Sequence, residues 1–146
     1  MTPQALAATH HAAFTAARPW TAAEFTALLP QPGIILTGTP EAFVLGRVTL
    51  DEAEVLTIAT LPALRREGRA RVALSAFEDA ARAAGATAVL LEVAEDNAPA
   101  RALYSSAGYA QIARRPGYYT TPGGSKVAAL ILRKSLLTAS APLASK

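Results

Sequence analysis

Cysteine is absent from the sequence. That removes disulfides, Cys-ligated zinc, iron–sulfur clusters and a thiol nucleophile. It also suits a reducing compartment. Long apolar runs are missing too: no stretch approaches the roughly 20 residues that a membrane helix needs. Met1 to Ala17 has no basic stretch followed by an apolar run, so no secretory signal is read there. Aromatics are only 6% of the chain. None is interleaved with the densest arginine cluster, which weakens a single-stranded nucleic-acid reading. His10 and His11 are adjacent on one predicted helix and cannot face one metal from it, so no metal is expected. The expectation is a soluble cytoplasmic protein without membrane or direct nucleic-acid contact.

What is present suits one domain. The 146 residues can bury a core of their own. The net charge of +3 is modest but unevenly spread. Arg65, Arg66, Arg69 and Arg71 fall close together. Acids cluster at Asp51, Glu52 and Glu54, and again at Glu92, Glu95 and Asp96. Thr2-Pro3 opens a helix to about Ala16. Thr21-Ala22-Ala23-Glu24 is a capping box for a second helix, about Ala22 to Leu29. Gly33–Thr37 and Ala42–Leu50 read as a hairpin, and Glu54–Thr60 as a third strand. Ala70, Leu74, Phe77 and Ala81 make one apolar stripe on a helix from Arg69 to about Ala84. Ala88–Val93 is a buried strand. Asn97 and Pro99 start a helix whose inner face is Ala100, Leu103, Tyr104 and Ala107. Tyr109–Ala113 and Lys126–Arg133 are the last strands, with Tyr118 and Tyr119 in the loop between them. Residues 1–134 are read as a single domain and 135–146 as a mobile tail. The fold class is α/β (α+β): a mixed central sheet of about six to seven strands flanked by about four helices.

The most informative segment is Arg65-Arg66-Glu67-Gly68-Arg69-Ala70, between a strand and a helix. A helix start offers unpartnered N–H groups, and the helix dipole favours an anion there. Gly68 and Ala70 leave room for a phosphate, and Arg66, Arg69 and Arg71 add charge. The same residues also suit an ordinary loop with exposed arginines. The lysine and hydroxyl residue of a P-loop are missing.

Arg65-x-x-Gly68-x-Ala70 resembles the coenzyme A pyrophosphate loop of the GNAT acetyltransferases. Asn97-x-x-Ala100-x-x-Leu103-Tyr104-x-x-x-Gly108-Tyr109 resembles that superfamily's later helix. Further segments resemble its RimI-type branch, whose members acetylate the N-terminal alanine of a ribosomal protein: Pro19-Trp20 with Phe25, Leu50-Asp51-Glu52-Ala53-Glu54, Leu91-Glu92-Val93 and Arg115-Pro116-Gly117-Tyr118-Tyr119. Two places depart from the branch. Lys126-Val127-Ala128 lacks an acidic residue, and Thr60-Leu61 stands where Val and Asp are usual.

The resemblance implies a GNAT fold and acetyl-CoA as cosubstrate, with direct attack of an amine on the thioester. It implies Glu92 as base and Tyr104 as acid. Cofactor contacts would come from Ile58, Ala59, Thr60, Arg65, Arg66, Glu67, Gly68, Arg69, Ala70, Arg71 and Asn97. The acceptor, a protein N-terminus such as a ribosomal protein's, would meet Trp20, Asp51, Glu52, Arg115, Tyr118 and Tyr119. Plain structural roles exist beside these. Glu92 also reads as an exposed strand residue, Tyr104 as a core tyrosine, Asn97 as a helix cap, and Tyr118 and Tyr119 as strand-edge aromatics. The alternatives are a GNAT enzyme of a small-molecule amine or lysine side chain, and a non-catalytic acyl-CoA-binding module.

Overall fold

The structure, a computed structural model, describes residues 1–14, 18–121 and 123–137. Two helices open it, α1 (Pro3–Ala13) and α2 (Ala22–Leu28). Thr2 caps α1 by accepting from the Ala5 N–H. Thr21 and Glu24 complete the capping box of α2. Then come β1 (Ile34–Thr39), β2 (Ala42–Thr49), β3 (Glu52–Thr60), α3 (Arg69–Ala83), β4 (Ala88–Ala94), α4 (Ala98–Ser106), β5 (Ala110–Thr120) and β6 (Lys126–Ser135). Among the described residues this is the element order expected from sequence, with six strands and four α-helices in a mixed α/β sandwich.

The sheet order is β1-β2-β3-β4-β6-β5. Each strand pair is antiparallel except β3 and β4. On one face, α3 and α4 bury Leu74, Phe77, Ala81, Tyr104 and Ala107 against Val44, Ala53, Val89, Leu91, Val93, Leu130 and Leu132. Gly46 lies under the Phe77 ring, where a Cβ would collide with the ring and with the Glu54 carbonyl. On the other face, α1 and α2 place Leu6 and Phe25 on Phe43, Leu45 and Ala59. A bulge in β3 opposite Leu45 and Gly46 moves its inward residues from one face to the other.

Two segments differ from the sequence reading. Tyr118 and Tyr119, expected in a loop, belong to β5. The strand survives the Pro116-Gly117 interruption because it is an edge strand, where a missing N–H costs little. At the other end, β6 runs through Ser135, and Leu136 is buried with its N–H donating to the Thr87 carbonyl. The rest of the expected tail, 138–146, is outside the described residues, as is Ala16 of the expected first helix. Among the described residues, no helix is long and apolar enough to cross a membrane.

Candidate active site

β3 and β4 are parallel neighbours over a short distance only. Glu52–Glu54 pair with Ala88–Leu90, and the ladder stops there. From Val55 and Leu91 onward the strands share no pairing, so the sheet opens as a wedge toward their C-terminal ends. Backbone groups along a strand point alternately to its two neighbours. Part of the Ile58–Thr60 backbone therefore faces this wedge, its other groups being paired with Ala42–Val44 of β2.

The start of α3 lies where β3 ends. Gly68 is its N-cap with φ 77, in the left-handed region, and makes no side-chain cap. The first-turn N–H groups of α3 thus lack a capping side chain. A Cβ at Gly68 would meet nothing within 4 Å, so the space above this backbone is open. A shallow cavity of about 170 Å³ lies between Glu67–Arg69 and the β1–β2 turn. Arg66 is also left-handed, at φ 67.

The arginines here are more committed than their number suggests. Arg65 donates to the Ala13 carbonyl of α1, and Arg69 pairs with Glu67 at 3.0 Å. Arg71 donates to Ser106 Oγ and to its carbonyl, tying α3 to the end of α4. Ala70 is half-buried beside them. Asn97 caps α4, its Oδ1 accepting from the Ala100 N–H at 3.2 Å.

Glu92 lies on β4 between buried Leu91 and Val93, and its exposed side chain points to the opposite face. That is the α1/α2 face. Its Oε2 accepts a hydrogen bond from the Tyr119 hydroxyl at 2.5 Å. Desolvation and this bond hold the Tyr119 phenol protonated, well above its usual range. Tyr104 approaches from the other side of the sheet, within the α3/α4 core. Burial pushes its pKa up to about 12. Its hydroxyl makes no side-chain hydrogen bond among the described residues, yet no buried side-chain polar atom there is left unsatisfied. The hydroxyl therefore reaches solvent. Tyr109 packs edge-on against Tyr104, ring centroids 6.1 Å apart, but its hydroxyl donates to Glu78. Of these two tyrosines, only Tyr104 has a proton free to give.

Several residues expected at the acceptor side are placed elsewhere. Asp51 and Glu52 sit at the closed end of the wedge, since Glu52 is level with Ala88. Four residues of strand, about 13 Å, separate that level from Glu92. The structure does not bring these acids together with Glu92. Glu95 is held at two oxygens by Arg114, at 2.9 Å each, which removes it from a free acidic cluster. Trp20 is half-buried, 5.2 Å from the His10 ring and 5.4 Å from Phe25, and its backbone N–H donates to His10 Nδ1. Arg115 and Tyr118 are exposed on β5, the guanidinium 5.4 Å from the Tyr118 ring centroid.

Sequence reasoning missed the Glu78–Tyr109–Lys134 group. Glu78 is a buried carboxylate that accepts from Tyr109 at 2.9 Å and pairs with Lys134 at 2.8 Å. Its helical position one residue after Phe77 was the only available signal. Among the described residues, no group of acidic or histidine side chains is arranged to hold a metal.

The profile of the Acetyltransferase (GNAT) family matches residues 5–109. The ribosomal protein bS18-alanine N-acetyltransferase of Haemophilus ducreyi is 37% identical over 91 residues, covering 62% of this chain and 63% of that protein. The match thus spans about three fifths of that relative's length. The N-alpha-acetyltransferase RimI of Mycobacterium tuberculosis is 36% identical over 114 residues, 72% of this chain and 70% of that one. The crystal structure of the Escherichia coli ribosomal-protein-S18-alanine N-acetyltransferase superposes with a TM-score of 0.82 at 30% identity, covering 94% of this chain and 89% of its own.

Proposed function

The chain belongs to the acetyltransferase (GNAT) family, and on that footing we propose that it transfers the acetyl group of acetyl-CoA to the N-terminal amine of a protein. The observation that carries this reading is the Glu92 carboxylate, held by Tyr119 on the face of β4 opposite Tyr104. A base on one face and an acid on the other suit a reaction that takes a proton from an incoming amine and returns one to a departing thiolate.

The residues fit the cosubstrate. The uncapped start of α3, with open space above Gly68, suits a pyrophosphate. The unpaired side of β3 near Ile58, Ala59 and Thr60 suits an amide-bearing pantetheine arm laid along it as a strand would be. Arg66 and Arg69 add positive charge, and Asn97 stands at the mouth of the wedge. When bound, the thioester supplies the acetyl group.

Everything else falls to the chain. An N-terminal amine has a reference pKa near 8. It needs only a mild base, and Glu92 serves, directly or through one water. A wedge amide polarises the acyl carbonyl. Tyr104, kept protonated by burial, returns a proton to sulfur. The acceptor proposed is a protein beginning with alanine, as in the name of the Haemophilus ducreyi relative, and the site of action proposed is the cytoplasm.

The test measures thiol release from acetyl-CoA with an alanine-starting peptide, the same peptide N-terminally blocked, and a panel of small amines. Turnover of the free peptide alone, lost in Tyr104→Phe, supports the proposal. Turnover of small amines alone moves the acceptor to that class. Binding of acetyl-CoA with no turnover at all would make the chain a non-catalytic acyl-CoA-binding module.

A further inference from the structure

We propose that Glu78 is a positioning residue for the acid Tyr104, acting through Tyr109. The inference rests on the acetyltransferase reading above and adds a residue to the machinery of that site.

Tyr104 is held first at its backbone. Helix α4 gives way to a left-handed Gly108, φ 98. The Gly108 N–H donates to the Ser105 carbonyl, and the Tyr109 N–H donates to the Tyr104 carbonyl at 3.0 Å. These two bonds make the Schellman ending of a helix, which folds the residue after the glycine back onto the last full turn. Tyr109 is that residue, and Tyr104 is the one it meets. Their rings pack edge-on, centroids 6.1 Å apart. Tyr109 thus holds Tyr104 at both backbone and ring.

Tyr109 is held in turn. Its hydroxyl donates to Glu78 Oε2 at 2.9 Å, and Lys134 Nζ donates to Oε1 of the same carboxylate at 2.8 Å. Both oxygens of Glu78 are therefore engaged. Burial, the Glu78 charge and the hydrogen bond to it keep the Tyr109 phenol protonated. Lys134 Nζ also lies 5.9 Å from the Tyr109 ring centroid. The Lys134 stem covers Gly108, where an added Cβ would stand 3.5 Å from it. Glu78 belongs to α3 and Lys134 to β6, so one buried carboxylate ties α3 and the sheet to the end of α4.

Such a network supplies direction more than stability. A largely buried ion pair adds little net stability, because desolvation offsets the attraction. Hydrogen bonds do fix where the Tyr109 ring stands, and Tyr104 packs against that ring. The Tyr104 hydroxyl has no side-chain partner among the described residues, so packing sets its aim. Returning a proton to sulfur requires hydrogen-bond reach. A small displacement of the ring therefore costs rate.

The experiment uses the full chain, acetyl-CoA and the alanine-starting peptide. Glu78→Gln leaves the Lys134 ammonium without its carboxylate and can cost the fold. Tyr109→Phe keeps the ion pair and the ring and removes only the bond to Glu78, so it decides the matter if Glu78→Gln does not fold. Thermal melts set an assay temperature at which the compared variants are folded. Each change should lower kcat about tenfold and leave the KM for acetyl-CoA unchanged. In a Tyr104→Phe background neither should lower kcat further, because the group they aim is gone. Unchanged kcat in Tyr109→Phe, or an equal loss with and without the Tyr104 hydroxyl, overturns the inference alone and leaves the network a purely structural one. Full activity of Tyr104→Phe removes the acid and the inference with it. No turnover of any amine by the wild-type chain overturns the acetyltransferase reading itself.

Discussion

Tyr119 does two things that its place in the sequence does not announce. It sits in the edge strand rather than a loop, and its hydroxyl is spent on Glu92 at 2.5 Å. A carboxylate with one oxygen held by a phenol keeps the other free and correctly aimed. In the proposed mechanism Tyr119 positions the base. Glu92→Gln should lower kcat by roughly 100-fold to 1,000-fold, the usual worth of a general base. Tyr119→Phe should cost about tenfold, and the double variant should be no worse than Glu92→Gln alone, because the two act as a unit. Steady-state kinetics on all three variants, with the acetyl-CoA KM unchanged, would show this. Full additivity would place Tyr119 on the acceptor instead. The motif pointed to Tyr104, and what separates it from Tyr109 in the structure is tertiary: Glu78 occupies the Tyr109 hydroxyl.

At the scale of elements, α1 is fastened by a buried histidine. His10 is 1% exposed, and its ring stacks on Phe14 at 4.0 Å. Nδ1 accepts the Trp20 N–H, so Nε2 carries the proton and donates to Thr57 Oγ1 of β3 at 2.9 Å. The arrangement requires a neutral ring. Burial lowers the His10 pKa from 6.5 to about 4, with nearby Glu24 opposing and Arg18 assisting. The unfolded chain therefore takes a proton as pH falls through 6.5, while the folded chain does not until about 4. Stability from this residue is fully present above that window and is lost as pH falls across it. The loss should reach about 2 kcal/mol near pH 4.5. Urea midpoints should decline over this range in the wild type. In His10→Gln they should be lower at neutral pH but flatter with acid. Equal slopes in both would assign the acid sensitivity to other groups. Trp20, expected to meet the acceptor, is half-buried against this histidine, which explains a tryptophan just before a helix cap.

At the scale of the whole molecule, the wedge between β3 and β4 is the organising feature. Three ladder pairs hold the strands at one end, and the helix starts of α3 and α4 gather at the other. A ligand bridging the wedge should raise thermal stability. Acetyl-CoA at about 100 times its Kd is worth about 2.7 kcal/mol by mass action. Gly68→Val places a branched side chain in a left-handed backbone and in the open space above it. It should cost roughly 1 to 2 kcal/mol without ligand and shrink the acetyl-CoA shift in Tm. A shift of undiminished size in that variant would mean the ligand does not approach this backbone.

The helices and most strand limits were legible because their causes are local. Thr2-Pro3, the Thr21–Glu24 box, Asn97-Pro99 and the terminating glycines act over three or four residues. The stripe Leu74, Phe77, Ala81 needs only the helical period. Motif spacing singled out Glu92 and Tyr104, which the structure places on opposite faces of the sheet. What was not legible depends on register between segments far apart in the chain. The early end of the β3–β4 ladder opens the wedge, and the same register strands Asp51 and Glu52 at its closed end. The β5–β6 register sends Arg114 to Glu95 on one face and leaves its neighbour Arg115 on the other. A one-residue change in pairing reverses every side chain along a strand, and that choice is made by packing across the sheet, which no local stretch of sequence contains.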